Sequence, residues 1–269
     1  MLSRLLLLSV FGFIFSLPAY ATDEAGDQPL AVIFGEKLYG KDLVAPGGAK
    51  PGAAVIDPAN AQRARGEALR ARVWKAVFED YARERRIAPT EAEITAHVEG
   101  HQRIRAHIDA ENTKQRAALI EELKSPGLPE TRRKTAQQYL DALNRSAEFD
   151  AKRAQELSDL ARRKMQQVVE RQVAEHWVRV WKLNQSLYRE FGGRIIFQQA
   201  GWEPVDAYRK LLDQYAAKQA FVVHDPALRA AVYSYFEHKF VYADDTKARF
   251  YFEKPLWERA PEEMKAAGL

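Results

Sequence analysis

ETRRKTAQQYLDALNRSAEFDAKRAQELSDLARRKMQQVVERQVAEHWVRVWKLNQSLYREF, residues 130–191, is the longest run of this chain without Gly or Pro, and its reading decides the fold. Its 62 residues are rich in Ala, Leu, Arg, Lys, Gln and Glu, which lose least on entering a helix. Gly192-Gly193 closes it, and glycine readily takes the left-handed conformation that ends a helix. As a single helix it would extend about 90 Å at 1.5 Å per residue. Either one very long helix organises the molecule, or two or three helices meet at breaks that Gly and Pro do not announce. The expected fold is mainly α and multi-helical, with one long helix or helical arm and one or two short strands.

Apolar spacing within the run changes along its length. Ala136, Leu140, Leu143, Ala147, Ala154, Leu157 and Ala161 follow three- and four-residue steps, while Ala161, Met165, Val169 and Val173 step by four, which rotates the stripe around the helix. Trp177, Trp181, Leu187, Tyr188 and Phe191 then form a much heavier face. The first half is expected to be a lightly packed arm and the second half to anchor a compact, aromatic C-terminal domain, the two dividing near residues 161–173.

Working outward to the start of the chain, Arg4 precedes an apolar core from Leu5 to Leu17, and Pro18-Ala19-Tyr20-Ala21 has the small-x-small pattern of a signal peptidase site. The reading is a signal peptide over residues 1–21, cleaved after Ala21, and export to a bacterial periplasm. The apolar run is shorter than the ~20 residues a spanning helix needs, so no stable membrane insertion is expected after cleavage. The chain has no Cys, which excludes disulfides, thiolate metal ligands and a thiol nucleophile. Its 41 basic and 37 acidic residues leave a net charge of only +4, a mixed-sign surface with no nucleic-acid footprint.

Residues 22–28 read as a polar leader. Leu30–Phe34 reads as a strand turning at Gly35-Glu36, and residues 45–58, with three Pro and three Gly, as a linker. A helix is expected over residues 58–86, its core stripe Leu69, Val73, Val77 and Tyr81. Thr90 and Glu93 have capping-box spacing at the start of a second helix that runs to Lys124, and residues 125–129 break it. After the double glycine, Arg194–Phe197 reads as a buried strand, Pro204–Lys218 as a helix, and Asp225-Pro226 as a cap with proline in the first turn. Residues 243–254 fit helix or strand, and Asp244 as a cap favours helix. The expected partition is signal peptide 1–21, leader, strand and linker 22–57, helical module with arm 58–165, and aromatic C-terminal domain 166–269.

Motifs for chemistry are few. His97 and His101 stand four apart on one helical face, one turn beyond Glu93, and are the nearest approach to a metal site. Glu93 is engaged by the capping box, His101 lines up with Ile94, Val98, Ile104 and Ile108, and the H-E-x-x-H arrangement is absent. No metal and no cofactor is therefore assigned. No serine sits in G-x-S-x-G, and there is no glycine-rich phosphate loop. Catalytic residues are not assigned. The aromatics are the better lead. Trp177, Trp181, Tyr188, Phe191, Phe197 and Trp202 fall within 26 residues, either as core or as a groove for apolar peptide segments, where large rings give contact area at low entropic cost.

Four short pieces follow one another between residues 30 and 98: Ile33-Phe34-Gly35-Glu36, Asp42-Leu43, Glu79–Ala82 through Arg86-Ile87, and Thr90-Glu-Ala-Glu93-Ile94. In this order of features the stretch resembles the N-terminal module of the periplasmic chaperone SurA and its relatives. Arg86 stands where those chains have glycine. A parvulin-type prolyl isomerase domain often follows the module in the family, whereas here the long helical run takes its place. The resemblance implies a chaperone or assembly factor without isomerase activity, whose partners are unfolded or outer-membrane-destined polypeptides. Two other readings stay open: a scaffold with one dedicated partner, using the long helix as a strut, and a hydrolase or metal enzyme whose acid and base come from distant positions.

Overall fold

The computed structural model describes residues 28–43, 58–156, 160–198 and 201–268. The expected signal peptide, the leader to residue 27 and nearly all of the Pro/Gly-rich linker lie outside the described residues. In chain order the strands are β1 Ala31–Ile33, β2 Glu36–Leu38, β3 Ile196–Gln198, β4 Gly201–Glu203 and β5 Phe221–Val223. The first four α-helices are α1 Pro58–Glu84, α2 Glu91–Leu123, α3 Glu130–Glu156 and α4 Leu160–Phe191. Four shorter ones follow: α5 Val205–Ala217, α6 Pro226–Tyr233, α7 Asp245–Glu253 and α8 Pro261–Ala266. The fold is mainly α, as the composition of residues 130–191 dictates.

The chain folds as two compact units, one taking residues up to Tyr81 together with Tyr208–Phe240, the other Ala82–Ala207 together with Val241–Leu269. The expected partition runs along the chain; these units do not.

In the first unit, β1 and β2 form a two-residue hairpin through Phe34 and Gly35, both at positive φ (48° and 84°), as a type I′ turn requires. The other edge of β1 pairs antiparallel with β5, Val32 opposite Val222, so the sheet order is β2-β1-β5. The run Phe221-Val222-Val223 gives no local sign of this partner, because pairing across so long a separation leaves no short-range pattern. The α1 stripe is as expected, with Leu69, Val73 and Val77 at 0% exposure and Tyr81 at 2%. The Trp74 ring stacks on Phe236 and meets Phe78, Tyr208 and Tyr235 edge-on, and its Nε1 donates to the Val232 carbonyl at 3.1 Å. Beneath them, the Tyr215 hydroxyl donates to buried Asp80 at 2.9 Å.

The second unit is built on α2. Thr90 and Glu93 cap it in the reciprocal box their spacing predicts. It runs antiparallel to α3, with Arg132 on Glu122 and Arg105 on Asp150 marking the register and Leu119 and Ala136 buried along the seam. Helix α4 meets the start of α2, where Lys182 pairs with Glu93 at 2.8 Å and Arg171 with Glu91. The long run is thus helical on both sides of residues 157–159, which are not described. Helix α4 is unbroken through residues 161–173, and what changes is burial: Met165, Val168 and Val169 are exposed, while Ala174, Val178 and Trp181 are buried.

Strands β3 and β4 pair with Phe197 opposite Trp202. Trp202 is a strand residue, and the helix expected from Pro204 begins at Val205. Residues 245–253 are helical with Asp244 as cap, accepting from the Lys247 amide at 2.8 Å. A short 3-10 turn, Leu256–Glu258, lies against α2 at Gly100, where Arg103 donates to the Trp257 carbonyl at 3.0 Å.

Candidate polypeptide-binding surface

The six aromatics singled out in the sequence separate by burial. Trp181 and Trp202 are core residues, packed with Val178, Ile195, Tyr251, Phe252 and Trp257. Each is tied down by a polar bond. Trp181 Nε1 donates to the Tyr251 carbonyl at 3.2 Å, and buried Asn184 donates to the Trp202 carbonyl at 3.0 Å. Tyr188 is half-buried, its ring stacked on Phe252 at 4.7 Å. Trp177 and Phe191 are half-buried as well. Phe197 is 48% exposed, its ring tilted over Trp202 at 5.2 Å.

What the local sequence does not reveal is the neighbour of Phe197. Ile196 bridges antiparallel to Tyr242, and the Ala243 amide donates to the Ile195 carbonyl at 2.9 Å. That register sets Val241 across from Phe197. Val241 is 92% exposed, Tyr242 is also exposed, and the Arg194 guanidinium lies over the Tyr242 ring at 4.2 Å. Arg194 is itself held by Asp206, which accepts from its backbone amide and side chain at 2.8 and 2.9 Å. Buried Trp202 therefore carries exposed Phe197, with exposed Val241 across from it, while Tyr242, paired with Ile196, lies on the other face. A second exposed apolar group, Met165, Val168 and Val169, sits on the early turns of α4.

The two histidines come together as rings, not as an open ligand pair. His97 is 4% exposed and lies between His101, ring centroids 4.4 Å apart, and Trp257, at 4.7 Å. Burial, with a smaller contribution from His101, lowers the His97 pKa to about 3, and burial lowers His101 too. Burial pushes the Glu93 carboxyl up, but hydrogen bonds from Lys182 and Thr90 outweigh this and hold it below the usual carboxylate range. Among the described residues no group of three or more His, Cys, Asp or Glu side chains is placed to hold a metal ion. No described helix is long and apolar enough to cross a membrane. Comparison with protein-family models, with curated proteins and with solved structures finds no match.

Proposed function

We propose that this chain is an exported, periplasmic chaperone or assembly factor that binds unfolded or membrane-destined polypeptides through an apolar surface of its second unit. The proposal involves neither a cofactor nor prolyl isomerase activity. The observation that carries it is the exposed pair Phe197, lying over Trp202, and Val241, across from it. Large apolar side chains standing together in water mark surfaces that bind apolar partners. The bond from Asn184 to the Trp202 carbonyl holds the strand beneath Phe197 in place without a partner. The SurA-like order of features in residues 30–98 supports the same reading. Arg86, where the family has glycine, has a φ of 55°, the left-handed conformation that glycine takes most easily.

The test is suppression of aggregation of an unfolded client by the purified protein. Phe197→Ser with Val241→Ser is expected to remove most of the suppression while the protein still unfolds cooperatively, its stability lowered by about 1 kcal/mol through the half of Phe197 that packs on Trp202. Absence of suppression by the native protein at several-fold molar excess would overturn the proposal. The α2–α3 hairpin favours a second reading, a scaffold with one dedicated partner, because the 33 residues of α2 make a strut about 50 Å long. A pull-down that returns one stoichiometric protein in place of many unfolded clients would select it.

A further inference from the structure

A separate feature of the second unit is a cleft of about 430 Å³ between the turn that follows α1 and one face of α4. The turn contributes Arg85, Arg86 and Ile87; α4 contributes Lys182, Gln185 and Arg189, at the three- and four-residue steps that share a helix face. Two of the four cations are already committed. Arg85 makes a bidentate pair with Glu190, at 3.1 and 2.6 Å. Lys182 donates to the Ala88 carbonyl at 2.8 Å and is paired with Glu93. The other two, Arg86 and Arg189, are exposed, and neither side chain has a hydrogen bond or ion pair among the described residues. Counting Arg85, Arg86, Lys182 and Arg189 against Glu190 and Glu93 leaves two positive charges uncompensated around one opening.

The backbone adds a second observation. Helix α1 ends in a Schellman motif: the Ile87 amide donates to the Ala82 carbonyl at 2.8 Å, and the Arg86 amide to the Arg83 carbonyl at 3.1 Å. Arg86 occupies the left-handed position of that motif, where glycine is the unstrained choice and a Cβ costs roughly 1 kcal/mol. Strain of this kind tends to gather where a side chain has work to do. Here it falls on a residue that lines the cleft.

We propose that this cleft binds a phosphate-bearing ligand, gripped by the Arg86 and Arg189 guanidiniums against a wall fixed by the Arg85–Glu190 pair. A phosphate monoester carries close to two negative charges at neutral pH and three acceptor oxygens, enough for two guanidinium forks, whereas one carboxylate is satisfied by a single fork. An acidic peptide would spread its carboxylates along a line, and these cations converge on one opening. The phosphate can belong to a soluble phosphate monoester or to the monoester headgroup of phosphatidic acid. The site is independent of the apolar pair Phe197 and Val241.

The experiment measures binding of inorganic phosphate, glycerol phosphate and an Asp/Glu-rich peptide by calorimetry, and of phosphatidylcholine vesicles with and without phosphatidic acid by co-sedimentation. It uses the native protein, Arg86→Gly, Arg189→Ala and the double variant. Arg86→Gly relieves a positive φ, so loss of binding in that variant does not report a loss of folding. Each single variant is expected to weaken binding about tenfold, the scale of one charge-assisted hydrogen-bonding group, and the double variant to abolish it. Binding of the soluble phosphates alone identifies a soluble ester as the source, and binding that requires phosphatidic acid identifies the headgroup; both uphold the site. Binding of neither, affinities unchanged in the double variant, or preference for an Asp/Glu-rich peptide over every phosphate probe would overturn it.

Discussion

Replacing His97 by Phe should remove a large part of the acid sensitivity of this protein. His97 is buried between the His101 and Trp257 rings, and its folded-state pKa lies at about 3, against 6.5 for a free imidazole. The unfolded chain therefore binds a proton that the folded chain refuses wherever the pH lies between those values. Stability is fully retained above the unfolded value, falls as pH drops through 6.5, and goes on falling towards 3. Between pH 8 and pH 5 the linkage from this one group amounts to about 2 kcal/mol. Glu93, whose pKa is lowered, loses its stabilising contribution only in the carboxylate range below this window, so pH 5 to 8 reports mainly on the histidines. His101, lowered as well, adds a contribution of the same sign. Phenylalanine keeps a ring between His101 and Trp257 and does not titrate. The assay is urea denaturation followed by tryptophan fluorescence at pH 8 and pH 5, for the native protein and His97→Phe. The native protein should lose clearly more stability over that interval than the variant, by an amount of order 2 kcal/mol. An equal loss in both would refute the reasoning, because it would mean that His97 is protonated as readily in the folded chain as in the unfolded one.

Other perturbations test the fold at single points. Gly100→Ala places a Cβ 2.7 Å from the Trp257 carbonyl carbon and from its Cβ; the backbone must give way, and a loss of about 3 kcal/mol with release of residues 256–258 to limited proteolysis is expected. Arg86→Gly should raise stability by about 0.5 kcal/mol, the relieved positive φ being partly offset by the freer unfolded chain, which thermal melts at matched concentration can read. Tyr215→Phe removes the 2.9 Å bond to buried Asp80 and should cost about 1–3 kcal/mol in denaturant titrations.

Much of the fold is local and could be read from the chain itself. Residues 130–191 are helical wherever described because nothing in them disfavours helix. The Thr90–Glu93 box, the Asp225 and Asp244 caps and the stop at Gly192, whose amide donates to the Tyr188 carbonyl at 2.8 Å with φ 59°, all depend on residues within one helical turn. The same locality explains what went unread at Arg86 and Gln219. Both take the left-handed position that closes a Schellman motif, yet neither residue type announces it.

Tertiary structure alone decided which aromatics face water. Trp181 and Phe197 look alike as apolar residues near a helix end, but one is sealed beneath α7 and the other stands opposite Val241 on a bridge between segments more than forty residues apart. It also decided that β5 returns to pair with β1 and that Arg86 and Arg189 open onto one cleft. Helix caps and stripes are written in neighbouring residues because the forces that make them act over one turn. Partners in a sheet and charges around a cleft come from distant parts of the chain, and only packing brings them together.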